Sequence, residues 1–122
     1  MKKSFILMIF ILEDDHMMAE CIARSCGKVP TKIFPDGIAA MNALNDEIPD
    51  LIFLDVLLSG PDGFTFLNEL VSYSDTANIP VVIISSLNLE NKDLSDYGVV
   101  GILNKDKMLP QEIKKYVERF TH

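Results

Sequence analysis

The chain has 122 residues, 48% hydrophobic and 24% charged, with a formal net charge of −7. That is the length of one domain, able to bury roughly two thirds of its unfolded surface in a single core, and its composition is that of a folded chain. The acidic excess argues against direct binding to nucleic acid or to an anionic membrane, which both need a basic footprint.

The N-terminal segment MKKSFILMIFILEDD sets two lysines before eight apolar residues, 5–12, and then Glu13, Asp14 and Asp15. A secretory signal would carry small neutral residues where those acids stand. No stretch reaches the ~20 apolar residues of a membrane helix. The run therefore reads as a strand. It is apolar on successive residues, so it is expected to be covered on both faces. HMMAECIARSC (16–26) is a helix candidate, with Asp15 as its N-cap and Gly27 and Pro30 beyond its end. Cys21 and Cys26, the only cysteines, lie on different faces of that helix and are not expected to bridge. Free thiols suit a reducing cytoplasm. Together with the only histidines, His16 and His122, they form no metal-ligand spacing.

TKIF (31–34) alternates and is expected at a sheet edge. GIAAMNALND (37–46) puts Ile38, Met41 and Leu44 on one helical face. DLIFLD (50–55) is another apolar run, closed by Asp55, and GFTFLNELVSY (63–73) aligns Phe64, Leu67 and Val71. PVVIIS (80–85) ends on Ser85, and NLENKDLSDY (88–97) is a weak, polar, short helix candidate. VVGIL (99–103) leads to Lys105, and PQEIKKYVERF (110–120) opens on Pro110 and aligns Ile113, Val117 and Phe120. Strand and helix alternate five times, which predicts a parallel sheet with helices on both faces and right-handed crossovers. At this length the expected fold is α/β, a doubly wound, flavodoxin-like (βα)5 unit with strand order 2-1-3-4-5. In such folds sites form just past the carboxyl ends of the strands.

Every buried-looking run does end there in a polar residue: Glu13 and Asp14, Asp55, Ser85, Lys105. A loop facing water accounts for one such residue, but not for an acid that abuts apolar residues on both sides, as Asp55 does. Glu13, Asp14 and Asp55 brought together would repel, and a divalent cation with a preference for hard oxygens, Mg2+ above all, would relieve them. Mg2+ also favours phosphate oxygens. Lys105 could pair with a phosphoryl oxygen, and Ser85 could donate to another. Asp55 is then the natural nucleophile, forming an aspartyl phosphate.

Taken together, FILEDD, DLIFLDVLLSGPDG, IPVVIISS and ILNKD make the chain resemble the receiver domain of bacterial two-component response regulators, such as the chemotaxis regulators. The resemblance spans roughly residues 5–121. It implies that Asp55 accepts a phosphoryl group from phosphohistidine on a sensor histidine kinase or histidine phosphotransfer protein. It implies that Asp14 ligates Mg2+ (or Mn2+) directly, Glu13 through water, and Leu57 through its backbone carbonyl, with Asp55 as a further ligand. Ser85 would be the switch hydroxyl and Lys105 the conserved-type lysine. The output would be a downstream protein that reads the surface of the fourth helix, fifth strand and fifth helix. Such a domain is no enzyme beyond its own phosphoryl transfer and dephosphorylation, and it is cytoplasmic. Residues 1–122 are taken as a single receiver domain without an effector domain, either stand-alone or part of a longer regulator.

Four features depart from the family pattern. Ile102 stands where an aromatic switch residue is usual, and Asp106 replaces the proline after the lysine. Ser59-Gly60-Pro61 alters the loop after the acceptor, and the stretch from Ser85 to Lys105 is short. These features leave a second reading, a pseudo-receiver that binds partners without being phosphorylated. A haloacid-dehalogenase-type phosphohydrolase would need a second Asp at position 57, and a flavin protein would not place three acids after its first strand.

Overall fold

Each apolar run becomes a strand whose limits are set by its neighbours. The computed structural model describes residues 7–57, 63–89 and 93–121. In chain order the elements are β1 (Ile9–Leu12), α1 (His16–Ser25), β2 (Thr31–Phe34), α2 (Gly37–Ala43), β3 (Leu51–Leu54), α3 (Gly63–Ser72), β4 (Val81–Ser85), a 3-10 turn (Ser95–Tyr97), β5 (Val99–Asn104) and α4 (Pro110–Phe120). The sheet is parallel, in the order β2-β1-β3-β4-β5.

β1 is shorter than its apolar run. It starts at Ile9 because its partners start at Thr31 and Leu51, shortly after Pro30 and Pro49. Met8 is held differently: its N–H donates to the Asp50 carboxylate at 2.9 Å, and the Asp50 N–H donates to its carbonyl at 2.8 Å. Phe5 and Ile6, read as part of the same strand, lie outside the described residues.

β1, β3 and β4 are buried along their whole length. Phe10, Leu12, Ile52, Leu54, Val81 and Ile83 pack with Phe66 and Leu67 of α3 and Ala40 of α2. Ile9, Ile11, Leu51, Phe53, Val82 and Ile84 pack with Ile22 of α1 and with Ile113 and Val117 of α4. The two-residue period of a strand is present, but both faces meet helices, so the sequence shows no alternation.

β5 departs from that expectation. It is an edge strand in which only Leu103 is buried, and Val100 is 38% exposed. The weak candidate at 88–97 also comes out differently: among its described residues the only helical turn is the 3-10 turn, closed by Gly98 at φ +78°. The Asp93 carboxylate accepts from both the N–H and the hydroxyl of Ser95, a local bond that competes with helix formation. Residues 90–92 lie outside the described set. Among the described residues no helix is long and apolar enough to cross a membrane.

Asp15 caps α1 as expected, accepting from the N–H groups of Met17 and Met18. At the other end Cys26 is buried, and its thiol donates to the Ile22 carbonyl; Cys21 is half-buried and the two are unbridged. Burial pushes the Cys26 thiol up to about 12 from an ordinary 9.0. Between those values the folded state keeps a proton that the unfolded state releases, so stability should fall as pH rises, by about 1.4 kcal/mol per unit. Urea unfolding from pH 8 to 11 should show this loss, and Cys26→Ala should lack that part of it. An aromatic disulfide reagent at pH 8 should modify Cys21 in the native protein and both thiols only after denaturation.

Candidate functional site

The sheet register sets the site. Leu12 pairs with Leu54, so the next residues, Glu13 and Asp55, emerge side by side from adjacent strands. The Asp55 N–H donates to the Leu12 carbonyl at 2.9 Å, and the Glu13 N–H to the Phe34 carbonyl at 3.0 Å. On the far side, Ser85 pairs with Asn104, and the Lys105 N–H donates to the Ser85 carbonyl at 2.9 Å. One edge of the sheet thus carries every side chain singled out from the sequence.

Carboxylate oxygens of Glu13, Asp14 and Asp55 lie within 4.8 Å of one another. Glu13 and Asp55 are 2% and 4% exposed, while Asp14 faces solvent. The Lys105 ammonium spans the buried pair, 2.7 Å from Asp55 Oδ2 and 2.8 Å from Glu13 Oε1. The other Asp55 oxygen accepts from the Leu57 N–H at 2.9 Å, and the other Glu13 oxygen from the Asp15 N–H at 3.1 Å.

Glu13 Oε1 is an exception among buried polar atoms. The Lys105 ammonium is near it, but the angles are not those of a hydrogen bond, and this oxygen is without a hydrogen-bond partner. Burial pushes the Glu13 carboxyl up, a shift partly reversed by the Lys105 ammonium and the Asp15 N–H. Burial also works against the Lys105 charge, but the hydrogen bond to Asp55 and the ion pair with Glu13 outweigh it and hold the ammonium above its usual range.

The residues present fit a divalent cation. Three carboxylates less one ammonium leave a formal charge of −2. The donors are hard oxygens, and one buried oxygen still lacks a hydrogen bond. Leu57 lies in the turn that follows Asp55 and is half exposed. The altered loop Ser59-Gly60-Pro61 lies outside the described residues.

Ser85 is fully buried on the strand next to Asp55. Its hydroxyl accepts from the Leu87 N–H at 3.1 Å, so it serves the local turn. Two features escaped the sequence reading. One is the bridge from Lys105 to Glu13, which no spacing announces. The other is Gly63, at the start of α3. A Cβ there would stand 2.4 Å from Val56 Cα and 3.0 Å from the Asp55 carbonyl oxygen. Its N–H donates to the Val56 carbonyl at 3.0 Å. The glycine heading a helix after Pro61-Asp62 was the available signal.

Fold and site together define a doubly wound α/β domain with an acidic centre at the carboxyl edge of its sheet. The family model for the response regulator receiver domain matches residues 9–118, and the chain belongs to that family. A protein-glutamate methylesterase/protein-glutamine glutaminase of Rhodopseudomonas palustris is 38% identical over 77 residues, 60% of this chain; the match spans 20% of that relative's length. The Mn(2+)-bound form of response regulator Rcp1 is similar over 93% of this chain and 90% of that one, with 25% identity and a TM-score of 0.73. The phosphorylated cyanobacterial phytochrome response regulator RcpA is 27% identical, also with a TM-score of 0.73, over 93% of this chain and 89% of that one.

Gly63→Ala should push the turn at Asp55–Leu57 away from α3. We expect a loss of about 1–3 kcal/mol in urea unfolding and at least a tenfold weaker response to Mg2+ in a thermal-shift titration. Unchanged Mg2+ binding would show that the close approach does not position the acids.

Proposed function

We propose that the protein is a phosphoacceptor receiver in which Asp55 takes a phosphoryl group from phosphohistidine on a sensor histidine kinase or histidine phosphotransfer protein. The observation that carries this reading is the Asp55 carboxylate: 4% exposed, with one oxygen on the Leu57 N–H and the other on the Lys105 ammonium. A carboxylate oxygen attacks phosphorus, a P–O bond forms, and the P–N bond breaks with its electron pair leaving on the imidazole.

Asp14, Asp55, the Leu57 carbonyl and, through water, Glu13 would hold Mg2+ (or Mn2+). When bound, the ion supplies positive charge to the phosphoryl oxygens. Lys105 neutralises a further oxygen by giving up one of its two carboxylates. Ser85 turns its hydroxyl toward the phosphoryl group, which releases the Leu87 N–H.

That release is the proposed switch. The segment after β4 shifts, and the Ser85–Lys105 backbone bond carries the change into β5. The surface made by the 3-10 turn, β5 and α4 then alters its affinity for a downstream protein. Ile102 has no ring to rotate, so the readout runs through the backbone. The chain catalyses at most its own phosphorylation and dephosphorylation. Its unbridged thiols fit a cytoplasmic setting.

Incubation with Mg2+ and acetyl phosphate should add one phosphoryl mass to the intact protein. Asp55→Asn should remain unmodified, and Lys105→Gln should slow the gain about 100-fold. A wild-type protein without the mass gain, or an Asp55→Asn variant that shows it, would overturn this reading; the first result would favour an unphosphorylated interaction module.

A further inference from the structure

The sheet ends at β5, and among the described residues no strand pairs with its outer side. The Lys105 N–H points inward to Ser85, and Leu103 pairs with Ile84. Alternation along the strand therefore turns the N–H and C=O of Ile102 outward. Val99–Asn104 contains no charge and no proline, the usual devices that stop an edge from recruiting another strand.

Beside this edge lie two shallow grooves. One, of about 360 Å3, is lined by Asp93, Leu94, Ser95, Val100, Gly101 and Ile102 among others. The other, of about 520 Å3, is lined by Pro80, Ser95, Asp96, Gly98, Val100 and Phe120 among others. They share Ser95 and Val100, so they continue one another along β5. Among the described residues their only charged lining residues are Asp93 and Asp96, both exposed, and no basic side chain lines either groove. A full fourth helix is replaced, among the described residues, by the 3-10 turn.

We propose that the outer edge of β5 receives an extended, lysine- or arginine-bearing segment of a partner protein as a sixth strand. Main-chain bonds to Ile102 supply the pairing, and Asp93 and Asp96 select for positive charge. A second copy of the chain is the less suitable occupant. It would bring another acidic groove on a molecule of net charge −7. The proposal names the partner chemistry of the output surface and takes its biological role from the proposed function. The binding itself needs no phosphoryl group, so either can fail alone.

The test uses the unphosphorylated chain, with no phosphodonor, and amide NMR. Two blocked octapeptides of alternating Val and Thr serve as probes, one carrying three lysines and the other three glutamates. The lysine peptide should shift amides of 93–104 and slow exchange at the Ile102 amide. The glutamate peptide should do neither, and N-methylation of the lysine peptide's backbone should abolish binding. Asp93→Asn combined with Asp96→Asn should weaken the lysine peptide about fivefold at low salt. Absence of binding, equal binding of both peptides, or shifts elsewhere would overturn the proposal. So would protection of Ile102 that rises with protein concentration alone, since the occupant would then be a second copy.

Discussion

Two carboxylates are buried side by side at the ends of adjacent strands, and a single ammonium holds both. Glu13 and Asp55 are there because β1 and β3 are in register, and Lys105 reaches them because β4 and β5 end at the same edge. Removing charges from water costs several kcal/mol per ion, so such a centre is stable only when the charges are balanced nearby. One lysine cannot balance three acids. The remaining −2 and the unbonded Glu13 oxygen make the centre a place that gains by taking up positive charge.

The rest of the molecule serves that centre. Three strands buried on both faces support it, and helices packed on either side exclude water from below. Asp15, third in the acidic run, does not join the other two acids; it caps α1 and fixes where the chain turns away. Gly63 lets α3 begin against the backbone of Asp55 and Val56. Ser85 stands one strand away with its hydroxyl engaged locally, so its present bond is one that a phosphoryl group would have to displace.

Much of this was legible in the sequence. β1, β3 and β4 announced themselves because both faces of each need apolar side chains. The acids, the serine and the lysine were legible because they close those runs. β5 has a similar run, but the sheet order puts it at the edge, where among the described residues one side lacks a neighbouring strand and Val100 is left exposed. The fourth helix was weak in the sequence for a physical reason that the structure makes specific: Asp93 bonds Ser95 locally. The Lys105–Glu13 contact and the slot at Gly63 were not legible, since both depend on distances across strands and loops rather than on residue type.

The central claim is that Glu13, Asp14 and Asp55 form a divalent-cation site, and a crystal of the protein soaked in Mn2+ tests it most directly. An anomalous difference map should place one strong peak in contact with carboxylate oxygens of Asp14 and Asp55, and Asp55→Asn crystals should lose it. A map without a peak there, or with its peak at another acidic surface such as Asp93 and Asp96, would contradict the account.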